Sequence, residues 1–222
     1  MAGPPHGQLV LEKGESLERA TAALVLLHGR GAAAGDIFVD CAPLLEEPGF
    51  ALLAPQAEGT AWYPNPFTAP LESNEPWLSA ALEVVDGLLA RIERTVPANR
   101  VVVLGFSQGA CLALEYASRR ARRYGAVVGL SGALIGPGDA ARDHGGWLAG
   151  TPVFLGCSDQ DPYVSALQVQ ASGEVLRELG GDVVVRLYPG MGHIVNADEI
   201  ALVRGWMAAL TGRDQVEEAA SR

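Results

Sequence analysis

The sequence has few basic residues, and this shortage excludes several classes of partner. Lysine and arginine number 16 against 26 aspartates and glutamates, so the formal net charge is −10. Because nucleic acids and many membrane surfaces are anionic, the chain is not expected to bind either of them. No apolar run approaches the length of a membrane span, and residues 1–7 lack the basic cluster of a secretory signal. We therefore expect a cytoplasmic protein without stable membrane insertion.

Cysteine is also scarce. Cys41, Cys111 and Cys157 are scattered, and no two of them have the spacing of a metal site. An intracellular protein keeps its thiols reduced, so we expect all three to be buried as small apolar side chains. A cysteine nucleophile is the alternative, but none of the three lies on a turn of the kind described below. The sequence predicts no metal site.

What the chain does contain is a regular alternation of apolar strands and helical patterns. No long polar linker, internal repeat or low-complexity segment divides the 222 residues, which predicts one domain over residues 1–222 with flexible ends at 1–7 and 212–222. Besides the apolar run that begins at residue 101, strands are expected over residues 8–12, 22–27, 50–54, 126–130, 152–156 and 183–188. Helices are expected over residues 35–45, 77–96, 165–179 and 196–210. This alternation predicts an α/β fold, a mostly parallel central sheet with helices on both faces.

The most informative segment begins with Val101, Val102 and Val103 and runs into Gly-Phe-Ser-Gln-Gly, residues 105–109. A β-branched run, a Gly-x-Ser-x-Gly turn and a helical stretch together indicate a nucleophile elbow, which presents a serine hydroxyl above the end of a sheet. Ser107 would be the nucleophile. Ser131 lies in a similar Gly-Leu-Ser-Gly-Ala segment, but the Ile-Gly-Pro-Gly at residues 135–138 cannot begin a helix. The context therefore favours Ser107.

A serine nucleophile needs a base and an acid that orients the base. In α/β-hydrolase folds the chain order is serine, acid, histidine. His193 follows the last predicted strand and is favoured over His144, which lies in a glycine-rich loop. Asp161 follows the preceding strand, and the proline after it fixes the turn, so it is favoured over Asp159. Asp182 is a weaker candidate, because it is expected to start the next strand at the opposite edge of the sheet.

The oxyanion of the reaction needs two backbone donors. The N–H of Gln108, the residue after the nucleophile, is one of them. The other is expected from the His-Gly-Arg-Gly loop at residues 28–31, most simply the N–H of Arg30, because glycines let the backbone approach a substrate closely. We expect His28 to hold this loop and the Arg30 side chain to be solvated or ion-paired.

Four ordered motifs then resemble those of a known family: residues 27–31, 105–109, 156–162 and 190–193. They resemble the phospholipase/carboxylesterase family of α/β-hydrolases, to which acyl-protein thioesterases are related. The resemblance implies a triad of Ser107, Asp161 and His193, an α/β-hydrolase fold and no cofactor. Many relatives carry proline where this chain has Ser165.

The substrate pocket should be formed by loops at the carboxyl ends of the strands. Because no segment is long enough for a separate cap domain, we expect a shallow and accessible site. Its predicted lining is aromatic and apolar: Trp62, Tyr63, Phe67, Trp77, Leu134, Ile135, Tyr163 and Met191.

The leading hypothesis is a serine carboxylesterase that acts on short to medium, apolar or aromatic esters of small molecules, as a monomer or homodimer. An acyl-protein thioesterase or lysophospholipase-type activity is the alternative. A non-catalytic ligand-binding homologue is disfavoured, because a binding protein does not require serine, aspartate and histidine together.

Overall fold

A seven-stranded β-sheet runs through residues 6–138 and 144–212, which the computed structural model describes. Its strands are β1 (Val10–Gly14), β2 (Ala22–Leu27), β3 (Phe50–Pro55), β4 (Val101–Phe106), β5 (Ala126–Leu130), β6 (Pro152–Ser158) and β7 (Asp182–Tyr188). The strand order is β1-β3-β2-β4-β5-β6-β7, with β1 antiparallel to β3 and every other neighbouring pair parallel. The predicted α/β-hydrolase architecture is confirmed.

Helices cover both faces of this sheet. They are α1 (Asp36–Asp40), α2 (Trp77–Ile92), α3 (Gln108–Arg119), α4 (Ala166–Glu178) and α5 (Ala197–Thr211). Side chains of α2, α3 and α4 pack on one face, and those of α1 and α5 on the other. Within the described ranges, no cap domain covers the carboxyl ends of the strands, and no helix has both the length and the apolar character needed to cross a membrane.

The strands separate two hydrophobic cores because successive side chains point to opposite faces. In β2, Ala23, Val25 and Leu27 join the core beneath α2, α3 and α4. Leu24 and Leu26 join the core beneath α1 and α5. Burial on both faces explains why the inner strands read as continuous apolar runs.

The structure differs from the expected elements mainly at their ends. The helix expected over residues 35–45 is divided at Cys41 into α1 and a 3₁₀ turn, Ala42–Glu46. Pro43 lacks a backbone N–H and its ring disfavours a continuous helix through this point. Helix α2 ends at Ile92 rather than at residue 96. Strand β1 starts two residues later than expected. Most of the two ends predicted to be flexible, 1–7 and 212–222, lies outside the described residues.

Candidate active site

The turn between β4 and α3 places Ser107 above the carboxyl edge of the sheet. Ser107 has a φ of +55°, a strained conformation for a residue with a side chain. The strand and helix approach so closely that a Cβ at Gly105 would overlap the carbonyl group of Gly109. A Cβ at Gly109 would overlap the carbonyl of Leu27 at the end of β2. The elbow therefore requires glycine at both positions.

A chain of hydrogen bonds joins Ser107 to residues that follow two other strands. The Oγ of Ser107 lies 2.8 Å from Nε2 of His193, and Nδ1 of His193 lies 2.7 Å from Oδ2 of Asp161. Because a carboxylate can only accept, Nδ1 carries a proton and Nε2 is free to accept the proton of Ser107. The His193 ring lies between the rings of Phe106 and Tyr163, at centroid distances of 5.0 and 4.9 Å. The three side chains thus have the arrangement that activates a serine hydroxyl.

Asp161 is held in its ionised form inside the protein. Burial of the carboxyl would raise its pKa, but hydrogen bonds from His193 and from the backbone N–H groups of Tyr163 and Val164 lower the pKa below its ordinary value. The thiol of Cys157 lies 3.7 Å from Oδ2 of Asp161. Burial and the neighbouring carboxylate raise the pKa of Cys157 to about 12, so the thiol stays protonated and acts as a donor.

The loop that carries His193 is fixed at both ends. At its start, Gly190 donates a backbone hydrogen bond of 2.8 Å to Oδ1 of Asp159. At its end, Asn196 and Glu199 form a capping box, in which each side chain accepts the backbone N–H of the other at 2.8 to 2.9 Å. Asp159, the alternative acid, therefore holds the loop of the base and does not contact the imidazole in the described contacts.

The two residues predicted to supply oxyanion donors lie close to Ser107. Gln108 is the first residue of α3, where N–H groups have no partner within the helix. Arg30 lies in the loop after β2, and the Cβ position of the adjacent Gly29 lies 3.3 Å from Cβ of Ser107. In the part of the chain that the structure describes, no acceptor takes the N–H of Gln108 or of Arg30. These donors suit an oxyanion formed at Ser107.

His28 holds the oxyanion loop. Its Nε2 accepts the N–H of Ala57 at 3.0 Å, which leaves Nδ1 to donate to the carbonyl of Gly29 at 2.8 Å. Burial lowers the pKa of this histidine, which favours the neutral ring that both contacts require. The carbonyl of His28 accepts the indole N–H of Trp62 at 2.9 Å.

A cavity of about 670 Å³ opens beside Ser107 and His193. Of the residues predicted to line a pocket, it contains Tyr63, Phe67 and Tyr163. The other lining residues are Gly29, Arg30, Ala32, Asp40, Pro64, Pro66, Thr68, Phe106, Gln108, Cys111 and Val164. The lining is mainly apolar and aromatic close to the serine.

The five other residues predicted to line the pocket do not reach this cavity. Trp62 is fully buried, and its indole N–H donates to the backbone carbonyl of His28, so the polar group of the side chain has a partner inside the core. Leu134 and Ile135 are buried in the core, where their N–H groups donate to side chains of α4 and α3. Two more lie elsewhere: Trp77 is half exposed at the start of α2, and Met191 contacts the side-chain amide of Asn196.

The disfavoured alternatives for the triad also lie apart from it. Ser131 follows β5 with a φ of +52°, but its Oγ is buried and does not border the cavity. His144 lies outside the cavity as well. Asp182 begins β7, at the opposite edge of the sheet. The structure therefore brings only Ser107, Asp161 and His193 together among these predicted residues.

Sequence reasoning missed what the side chains of Arg30 and Gln108 do. Both donate to backbone carbonyls of residues 63–65, and Gln108 also accepts the N–H of Trp62. We call residues 62–65 segment 62–65. The Arg30 side chain is exposed to solvent, as the sequence predicts, but its guanidinium donates to these carbonyls, and within the described residues it forms no ion pair. The glutamine that follows the elbow was the one available signal for this role. Its hydrogen-bond partners, however, are more than 40 residues away in the sequence, and no motif marks them.

Comparisons with known proteins identify the family of the chain. A family model described as Phospholipase/Carboxylesterase matches residues 10–210. Acyl-protein thioesterase 1 of Gibberella zeae is 31% identical over 125 residues, which are 52% of this chain and 50% of that protein. The chain thus spans about half the length of the curated relatives it matches.

Solved structures match over nearly the whole chain. A phospholipase/carboxylesterase from Dyadobacter fermentans is 39% identical, with a TM-score of 0.86 over 92% of this chain and 97% of that one. Acyl-protein thioesterase 2 of Zea mays is 22% identical, with a TM-score of 0.70 over 91% and 98% of the two chains. The second likeness is one of fold.

Proposed function

The chain belongs to the phospholipase/carboxylesterase family, and on this premise we propose that it is a serine hydrolase that cleaves carboxylic esters. The observation that carries the proposal is the unbroken chain of hydrogen bonds from Ser107 through His193 to Asp161, at 2.8 and 2.7 Å. A family relationship alone would leave open whether the chemistry is retained. This geometry supports an active enzyme over a non-catalytic binding protein.

In the proposed reaction, Oγ of Ser107 attacks the ester carbonyl carbon while Nε2 of His193 takes the hydroxyl proton. The carbonyl oxygen becomes an oxyanion, which accepts hydrogen bonds from the N–H groups of Gln108 and Arg30. One such donor contributes about 10²–10³-fold to the rate in related chemistry. The tetrahedral intermediate then expels the alkoxide, which takes the proton from His193 and leaves an acyl group on Ser107.

Water completes the cycle by the same steps. His193 takes a proton from the water, the resulting hydroxide attacks the acyl carbon, and the proton returns to Ser107 as the carboxylic acid leaves. Asp161 keeps the imidazole in the required tautomer and stabilises the imidazolium that forms twice in each cycle. The hydrogen bonds that lower the pKa of Asp161 suit it to this role.

The cavity supports an apolar or aromatic ester of short to medium acyl length. Its volume of about 670 Å³ falls in the range of small-molecule sites, about 300–1,000 Å³. Phe67, Phe106 and Tyr163 offer aromatic surface to the acyl or alkoxy group. The cytoplasmic location and the monomeric or dimeric state expected from the sequence stay predictions.

A thioester substrate is the second candidate, favoured by the match to acyl-protein thioesterases. Comparing kcat/KM for an octanoyl ester, the matching octanoyl thioester and an S-octanoylated peptide separates the candidates. We expect the ester to be preferred, and a preference for the acylated peptide would favour the thioesterase assignment.

The decisive test of the mechanism is Ser107→Ala, with Ser131→Ala as the matched control. We expect Ser107→Ala to abolish both hydrolysis of p-nitrophenyl esters and labelling by a fluorophosphonate, with unchanged thermal stability. Ser131→Ala, also a serine with positive φ after a strand, should keep both properties. Labelling at Ser131 or at a cysteine, with Ser107 unmodified, would refute the assignment.

A further inference from the structure

Segment 62–65 forms one wall of the cavity, and it is held by the two residues assigned to the oxyanion hole. Tyr63 and Pro64 of this segment border the cavity beside Gln108 and Arg30. The segment has no regular secondary structure, so its position depends on the groups that bind its backbone.

Gln108 binds the start of the segment from inside the protein. Its Oε1 accepts the N–H of Trp62 at 2.9 Å, and its Nε2 donates to the carbonyl of Tyr63 at 2.8 Å. The side chain is buried, so the two groups it binds have no water to replace it. The same residue would offer its backbone N–H to the oxyanion.

Arg30 binds the rest of the segment from the solvent side. One terminal nitrogen of its guanidinium donates to the carbonyls of Tyr63 and Asn65 at 2.8 and 2.9 Å, and the other donates to the carbonyl of Pro64 at 2.9 Å. A planar fork that reaches three successive carbonyls defines a position more closely than a single charge can. Because these acceptors are neutral carbonyls and not carboxylates, the arrangement depends on the shape of the guanidinium more than on ion pairing.

We propose that the side chains of Arg30 and Gln108 are positioning residues that hold segment 62–65 as the wall against which the larger group of the ester packs. The proposal rests on the proposed function of Ser107. It implies that these residues act twice: their backbone amides serve every ester, and their side chains serve esters large enough to contact Tyr63 and Pro64. Their removal therefore changes selectivity, beyond any change in overall rate.

The far end of the segment has separate support, which makes the test practicable. The backbone N–H of Asn65 donates to Oδ1 of Asn74 at 2.8 Å, and its side chain donates to the carbonyl of Ser73 at 2.7 Å. Because these bonds stay when Arg30 is replaced, and because the carbonyls freed by that change can bind water, variants of Arg30 should fold.

The test measures kcat/KM for p-nitrophenyl acetate and p-nitrophenyl octanoate in Arg30→Met and Arg30→Lys. We expect the octanoate-to-acetate ratio to fall about tenfold in Arg30→Met, mainly through a higher KM for octanoate, since a displaced wall misplaces the larger substrate. Arg30→Lys keeps the charge but lacks the fork, so its ratio should fall as well. Full recovery of the wild-type ratio by lysine would overturn the geometric explanation.

Arg123→Met is the matched control. Its guanidinium is also exposed and also donates to carbonyls of a loop, those of Ala149 and Gly150, away from the cavity. The ratio should stay at its wild-type value in this variant. An equal loss of acetate and octanoate hydrolysis in Arg30→Met, or an unchanged ratio, would overturn the proposal.

Gln108→Met provides a second route to the same wall. In the double variant with Arg30→Met, the octanoate-to-acetate ratio should fall by less than the product of the factors measured for the two single variants, because both side chains act through one segment. Independent, multiplicative losses would contradict the shared role. Failure of the wild-type protein to hydrolyse either ester or to react with a fluorophosphonate is a different result, which would overturn the proposed function itself.

Discussion

Replacing Glu199 by glutamine should make the protein more stable at pH 8 and leave its stability at pH 4 nearly unchanged. The Glu199 side chain is fully buried at the start of α5. Burial raises its pKa to about 7, against the lowering effect of the Asn196 N–H and with a further contribution from the charge of Asp198. Folding therefore favours the protonated, neutral carboxyl group of Glu199. Glutamine is also neutral and has nearly the same size and shape as this protonated side chain.

The sign and size of the effect follow from the raised pKa. Between pH 4.5 and about 7 the native state binds this proton more tightly than the unfolded chain, so stability falls as the pH rises through this window. The difference in the pKa of Glu199 between the unfolded chain and the native state corresponds to about 3 kcal/mol of stability that is lost at and above pH 8. Glutamine avoids this loss and preserves the capping box with Asn196.

The assay is chemical or thermal unfolding of the wild type and Glu199→Gln across pH 4 to 8. A gain of about 3 kcal/mol corresponds to a rise in Tm of about 6–12 °C for a chain of this size. Glu174→Gln is the control, since Glu174 is an exposed residue of α4 paired with Arg177, a contact worth about 1 kcal/mol or less. A stability difference between Glu199→Gln and the wild type that does not change with pH would refute the reasoning.

Two paired substitutions test the acid and the elbow. Asp161→Asn should lower kcat by about 10⁴-fold because asparagine favours the wrong histidine tautomer. Asp159→Asn should cost about tenfold or less, because the amide oxygen can still accept the N–H of Gly190 and only the charge is lost. Equal effects in steady-state kinetics would contradict the assignment of the acid. Gly109→Ala should sharply reduce both stability and activity, because its Cβ would overlap β2. Gly87→Ala, at an open and exposed position of α2, should raise stability by about 0.5–1 kcal/mol. Thermal unfolding that ranks these two variants in the other order would contradict the packing argument.

The elements that sequence could predict are those whose causes are local. The elbow is one of them, since its strand, its two glycines and its helix lie within a few residues of Ser107. Likewise, β2 and β5 have the predicted bounds because an uninterrupted apolar run already specifies a strand buried on both faces. The order of acid and base along the chain was predictable because parallel strands bring their carboxyl ends to one edge.

The pocket was less predictable because its causes are distant in sequence. Trp62 and Tyr63 are adjacent and both are buried, yet Tyr63 borders the cavity whereas Trp62 packs against His28 away from it. Outside regular structure no periodicity tells which side chain faces which way, and here the choice depends on bonds from Arg30 and Gln108. Leu134 follows the end of a strand as expected, but a hydrogen bond to α4 places it in the core.

The binding of the Arg30 guanidinium to three carbonyls also bears on how a hydrolytic cycle would end. Hydrolysis converts a neutral ester into a carboxylate inside the cavity. Among the described residues that line it, Arg30 carries the one permanent positive charge, and three of its five N–H donors are engaged by carbonyls, while Asp40 contributes a carboxyl group. In a protein of net charge −10, Arg30 is thus the one permanent cation near the product, and its guanidinium is directed largely at segment 62–65 rather than at the cavity. We therefore expect the carboxylate product to bind more weakly than the neutral ester, which would favour its release.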